Sequence, residues 1–187
     1  ISFFPTPMRI THVITRLIRG GAQLTLYNLV RDQRSRGGEC EVISGAEEGS
    51  EGSILPEMRA LGGVKVTVLP SLVREMNPVK DALALAFLAR HFSRSGTSLV
   101  HTHTSKAGLL GGMAARLARI PAVVYTAQGH IFAGKGAVPS VTDRPALRPV
   151  FLALRRLAEA CSHRVVALTT ADLEEQVALG LAPRKKY

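Results

Sequence analysis

The residues best suited to chemistry fall in three short segments: Gly20-Gly21, the run from His101 to Lys106 (HTHTSK), and Gln128-Gly129-His130. Glycines just ahead of a helix let backbone N–H groups approach a phosphate, because no Cβ intervenes and the first helical turn carries unpaired donors. The same pair would also serve a tight strand-to-helix connection, and the sequence supports either use. His101 and His103, spaced i and i+2, project from one side of an extended strand. With no Cys, Asp or Glu cluster and no H-E-x-x-H beside them, they read as a structural or substrate-contacting pair, and no metal site is expected. Lys106, at a helix start, suits an anionic group or solvent. Histidine's unperturbed pKa lies near neutrality, so a residue such as His130 can orient a hydroxyl or exchange a proton, or simply face water from a loop. His12, His91 and His163 read as structural.

Several common chemistries are excluded by their missing signatures. No G-x-S-x-G elbow and no G-x-x-x-x-G-K-[ST] loop occurs, and the dinucleotide fingerprint G-x-G-x-x-G is lacking. The second apolar run ends Val42-Ile43-Ser44-Gly45 without the acidic residue that would hold a ribose, so NAD is not expected. Glu47, Glu48 and Glu51 sit in a Gly/Ser-rich stretch and read as solvated.

The elements that must position these segments alternate along the chain. Short β-branched runs at residues 8–15, 40–44, 64–69, 98–102, 121–127 and 164–169 read as strands. Helical stretches at 22–36, 54–61, 79–95, 106–119 and 146–162 separate them, and a last helix begins near Thr170 with a threonine cap. Pro78 suits a first turn and Gly96 a stop. The stretch 106–119 is rich in Ala and Gly, which permits close approach to a sheet. Residues 129–145 form a long Gly/Pro-containing connection. Alternating strands and helices predict an α/β, Rossmann-like domain: a parallel sheet of about six strands with helices on both faces. In such a sheet ligands bind at the carboxyl ends of the strands, where all three segments should lie.

The 187 residues, 46% of them apolar, suffice for one domain with a real core at 8–187, and residues 1–7 are expected to be a ragged leader. Two distant cysteines, Cys40 and Cys161, imply no disulfide framework and fit a reducing, cytoplasmic setting. No apolar run reaches the length of a membrane span. The net charge of +10 favours anionic partners, but without Trp and with scattered basic residues a nucleic acid is not expected. The basic, apolar stretch 79–94 raises peripheral docking on an anionic membrane, set against burial of its apolar face in the core.

Residues 8–23 (MRITHVITRLIRGGAQ), 101–108 (HTHTSKAG), 125–132 (YTAQGHIF) and 165–172 (VVALTTAD) together resemble the amino-terminal half of family 4 glycosyltransferases. The resemblance implies one half of a two-domain GT-B fold. This half would bind the acceptor, and the carboxyl-terminal domain that holds most of the nucleotide-sugar is absent from the chain. It further implies transfer with retention of configuration to a glycan, lipid-linked or small-molecule acceptor, with no metal and no cofactor beyond the donor. Gly20 and Gly21 would face the donor diphosphate, and His103, Ser105 and Lys106 would line the cleft. The family's histidine near the sugar is matched here by Gln128, which can donate a hydrogen bond but cannot take up a proton near neutral pH. Gln128 and His130 are thus the expected catalytic pair, in a protein that is cytoplasmic or peripheral at the inner membrane face. The competing expectation is a noncatalytic carbohydrate- or nucleotide-binding module, or an inactive remnant.

Overall fold

Six apolar, β-branched segments, each too short to bury itself alone, pair into one parallel sheet whose two faces are closed by helices. The structure, a computed structural model, describes residues 8–46, 51–128 and 145–187. In chain order the elements are β1 (Arg9–Ile14), α1 (Gly21–Ser35), β2 (Glu39–Gly45), α2 (Leu55–Ala60), β3 (Val64–Leu69), α3 (Pro78–Ser95), β4 (Leu99–His103), α4 (Ser105–Leu117), β5 (Ala122–Thr126), α5 (Arg148–Cys161), β6 (Arg164–Val166) and α6 (Thr170–Ala178). The strand order is β3-β2-β1-β4-β5-β6, so the chain reverses its direction of travel between β1 and β4. That reversal opens a crevice at the carboxyl ends of these two strands.

Period-two alternation sends Ile14, Cys40 and Val42 to one face, against Leu26 and Val30 of α1 and Met58 of α2. Val13, Ile43, Val100 and Val123 go to the other, against Ala84, Leu88 and Phe92 of α3 and Ala107, Leu110 and Ala114 of α4. The glycines of α4 bring it down onto the sheet. A Cβ on Gly111 would stand 2.7 Å from Thr102 Cγ2, and one on Gly108 would overlap the buried Tyr125 ring. Helix ends follow their chemistry. Asn77 caps α3 by accepting from Lys80 N (3.0 Å), Gly96 closes it in the left-handed region at φ 68°, and Thr169 caps α6 by accepting from Asp172 N (3.0 Å).

The element boundaries differ from the sequence reading mainly at β4, β6 and α4. β4 runs one residue further, through His103, because Ile14 and Thr126 on either side offer it partners. β6 stops at Val166, where β5 runs out of residues to pair with. The connection expected at 129–145 falls almost entirely outside the described residues, as do Glu47 and Glu48. Glu51 is not simply solvated, for it pairs with Arg16 at 3.3 Å.

Gly45 is held by backbone alone. Its N–H donates to Thr15 O (3.1 Å), and an added Cβ would overlap the carbonyl oxygens of both Leu72 and Thr15. Neither carbonyl can yield as a side chain would. Gly45→Ala is therefore expected to cost about 3 kcal/mol, the upper end for overpacking, and to lower Tm by roughly 6–12 °C in a domain of this size. A thermal melt within 2 °C of the parent would contradict the close approach.

Candidate functional site

Because β1, β4 and β5 are parallel neighbours, the segments after them open on the same edge of the sheet. Gly20 and Gly21 begin α1, Ser105 and Lys106 begin α4, and Gln128 lies two residues past β5. The crevice between β1 and β4 is thus flanked by two helix amino termini. Neither helix has a side-chain cap or an acidic residue in its own first turn; at α4 a carboxylate from α3, Asp81, pairs with Lys106, while no such pairing occurs at the start of α1 among the described residues. Thr15 and Thr104 join hydroxyls across the crevice at 2.8 Å. Thr104 holds φ 69° and ψ 161°, a conformation that a β-branched residue adopts only under constraint. Strain of this kind concentrates at functional turns.

The two glycines are not equivalent. At Gly20, in extended backbone, a Cβ would stand 2.7 Å from Oε1 of Gln23, whose own amide donates to Arg16 O (3.1 Å). At Gly21 a Cβ would meet nothing within 4 Å, and its φ is ordinary. Among the described residues, packing gives only the end of the Gln23 side chain as a reason for glycine at 20 and none at 21.

Lys106 is neither solvated nor free. Its ammonium pairs with Asp81 Oδ1 at 2.6 Å and donates to Glu75 O, which ties the start of α4 to the start of α3. Ser105 is half-buried as the first residue of α4. Gln128 is half-buried, and its side-chain N–H group has no partner among the described residues. His130 lies outside the described residues.

His103 sits in the sheet rather than in a loop, only 1% exposed. The register that sets His12 beside His101 and Ile14 beside His103 brings three imidazoles together under one sheet face. The rings of His101 and His103 lie 4.1 Å apart, and His12 lies 5.4 Å from each. Their hydrogen bonds fix the tautomers in sequence. Gln33 Oε1, which also faces the Cys40 thiol, accepts from His12 Nε2 (2.8 Å), so His12 Nδ1 carries a lone pair. His103 Nε2 donates to that lone pair (3.1 Å), leaving His103 Nδ1 an acceptor without a partner among the described residues. His101 Nε2 shares a hydrogen with the Thr126 hydroxyl at 2.7 Å. Burial pushes the His12 pKa down to about 4, against the opposing pull of Gln33, and burial followed by the charge of His12 pushes His101 down to about 3. His103 is driven well below its ordinary value by burial and then by both neighbours. These three are also the described residues whose donor atoms, within 4.8 Å of one another, have the type and spacing to hold a metal ion.

Sequence reasoning found the i, i+2 pair but set His12 aside, because the cluster forms only through β1–β4 pairing. A histidine in the middle of each of two strands that flank the switch point was the available signal. Gln33, Thr15 and Thr126 carried no such signal. His91 and His163 are structural as expected: His91 hydrogen-bonds Glu41 at 2.7 Å, and His163 Nδ1 accepts from Val123 N at 3.0 Å. A separate cavity of about 820 Å³, lined by Arg9, Glu39, Lys65, Phe87, Arg90 and Arg94, opens at the opposite, amino-terminal edge of the sheet.

Residues 20–187 match the family described as Glycosyl transferase 4-like domain. Over 111 residues, 59% of this chain and 27% of the relative, the sequence is 34% identical to a UDP-Gal:alpha-D-GlcNAc-diphosphoundecaprenol alpha-1,3-galactosyltransferase of Escherichia coli. A lipopolysaccharide outer core galactosyltransferase superposes with TM-score 0.61 at 12% identity, covering 96% of this chain and 44% of that one. The fold is shared equally by a putative UDP-N-acetylglucosamine 2-epimerase of Listeria monocytogenes, with TM-score 0.66 at 11% identity, covering 95% of this chain and 44% of that one. The chain thus spans about a quarter of the curated relative it matches and less than half of each of these two structural neighbours.

Proposed function

Because the chain belongs to the glycosyl transferase 4-like domain family, we propose that it forms the acceptor-binding half of a retaining glycosyltransferase that draws on a nucleotide-sugar donor. The donor domain would come from polypeptide beyond this chain. The relative in Escherichia coli suggests the substrates: a UDP-hexose as donor, and as acceptor a sugar on a polyprenyl diphosphate. The reading calls for no metal and no further cofactor, and it implies work in the cytoplasm at the inner membrane face.

The observation that carries it is the uncapped start of α1 beside the switch-point crevice, where Gly21 has no packing reason to be glycine. As the bond from the anomeric carbon to the donor diphosphate breaks, negative charge grows on the leaving phosphate. Backbone N–H groups at the start of α1 are already oriented to receive it, so they stabilise the transition state without reorganisation. On the acceptor side, Gln128 carries a side-chain N–H without a partner among the described residues, suited to a sugar hydroxyl, whereas His103, 1% exposed, supports the crevice from within the sheet and does not reach substrate. Ser105 lines the same turn, and His130 is assigned to the cleft from the family resemblance. Lys106 acts through its ion pair with Asp81, holding the α4 turn in place.

The test is sugar transfer by a two-domain protein that contains this chain, assayed with UDP-hexoses and a polyprenyl-diphosphate-linked GlcNAc acceptor. Gly21→Val is expected to lower kcat by about 100-fold, the scale of losing one transition-state donor, while leaving the melting temperature in place. Unchanged kcat would remove the glycine turn from the mechanism. Absence of transfer in the parent, with tight carbohydrate binding retained, would favour the noncatalytic module.

A further inference from the structure

A helix packed on a sheet normally turns its polar residues outward, and α3 does not. Its inward face is the expected one, with Ala84, Leu88 and Phe92 buried against the core. Its outward face carries a second apolar stripe at i, i+4, i+8: Val79 is 71% exposed, Leu83 58% and Phe87 39%, with Met76 at 77% just ahead of the helix. Burial in the core therefore accounts for only half of the helix's apolar residues.

Basic side chains border this stripe. Arg74 and Lys80 lie at its amino-terminal end, and Arg90 and Arg94 follow it along the helix, all exposed. None of the four makes an ion pair or a side-chain hydrogen bond among the described residues. An apolar strip framed by unneutralised cations fits one kind of surface, in which acyl chains lie beneath anionic headgroups. The long stems of Lys and Arg let the charge reach phosphate while the apolar residues sink between lipids. A second copy of this chain, itself at +10, would meet the cations with repulsion.

We propose that the outer face of α3 docks the protein on an anionic bilayer, with Met76, Val79, Leu83 and Phe87 inserted and Arg74, Lys80, Arg90 and Arg94 on the headgroups. The helix begins at the carboxyl edge of the sheet, where Asp81 in its first turn holds Lys106 of α4, so the inserted end lies beside the crevice. A lipid-linked acceptor would then enter the site from the membrane on which the protein rests. Only this last step rests on the proposed function; the docking surface stands on exposure and charge.

The experiment is co-sedimentation of the 187-residue chain with phosphatidylcholine vesicles, with and without phosphatidylglycerol, in the absence of donor and acceptor. Binding is expected only with the anionic lipid and is expected to weaken as salt rises. Arg90→Gln/Arg94→Gln should weaken it by about 30-fold, from roughly fivefold per cation near the surface. Val79→Gln/Leu83→Gln should weaken it by about tenfold or more, with an unchanged melting temperature because both side chains already face solvent. Failure of the parent to bind anionic vesicles at low salt overturns the proposal, as does undiminished binding by both variants. Self-association on analytical ultracentrifugation that is abolished by Val79→Gln/Leu83→Gln, without vesicle binding, would assign the face to a second copy instead. Transfer activity is not read in any arm, so loss of the docking surface and loss of the transferase reading are separate results.

Discussion

Lowering the pH from 7 to 5 is expected to remove about 5 kcal/mol of folding stability, much of the total for a domain of this size. The cause is the cluster of His12, His101 and His103, all neutral in the folded protein because burial holds their pKa values at about 4, at about 3 and well below 6.5. In the unfolded chain each imidazole titrates near its ordinary value of about 6.5. Between about pH 6.5 and 4 the unfolded state therefore binds up to three more protons than the native state, and stability falls as pH falls. The loss starts below about 6.5 and runs on to about 4, where His12 itself begins to charge. Urea unfolding at pH 7 and pH 5 reads the effect directly. His101→Gln should remove roughly a third of the slope, since one of three titrating groups is gone. Equal stability at the two pH values would mean that the imidazoles are solvated and the cluster is not closed.

Glu159→Ala should be the most damaging substitution on the far side of the molecule, at about 3–5 kcal/mol. Glu159 is fully buried on α5. It accepts from Arg155 Nε one helical turn earlier (3.0 Å) and from the Tyr187 hydroxyl (2.9 Å). Arg155 is itself buried, reaches Gln176 of α6 at 3.1 Å, and lies 5.0 Å above the Tyr125 ring. Removing the carboxylate leaves that guanidinium without a counter-charge in a space closed to water, which costs more than the pair contributes when intact. Arg155→Met/Glu159→Leu should recover most of the loss, whereas Tyr187→Phe should cost only about 1 kcal/mol. Denaturant unfolding of the three variants distinguishes a charge effect from a packing effect. A double variant as unstable as Glu159→Ala would show that shape, not charge, is what the site requires.

The sheet was legible because its signal is local. A run such as Val64–Leu69 has the length, branching and flanking glycine and proline of a strand, and the strand and the sequence reading coincide. Pro78, Gly96 and the threonine cap of α6 marked helix ends for reasons that act within one turn. The shared edge of Gly20, Ser105 and Gln128 also follows from strand alternation, once each segment is known to follow a parallel strand. What could not be read from the chain depends on which strands become neighbours. His12 and His101 are 89 positions apart, and nothing at either position announces the other. Lys106 read as meeting an anionic group or solvent because Asp81, its partner, arrives from a helix on the far side of a crossover. For α3 the sequence offered both an outward, membrane-facing use and burial in the core, since a helix apolar on two sides gives the same periodic pattern as a helix apolar on one broad side, and only the fold separates the two stripes.

The bare underside of α4 limits how this half of the protein can diversify. With Gly108 against Tyr125, Gly111 against Thr102, and a Cβ on Gly112 already within 3.2 Å of Cys161, that helix has no volume in which to accept larger residues. New acceptor preferences in this architecture therefore have to be encoded in the turns above the sheet, where side chains can lengthen into open space, while the layer beneath stays fixed.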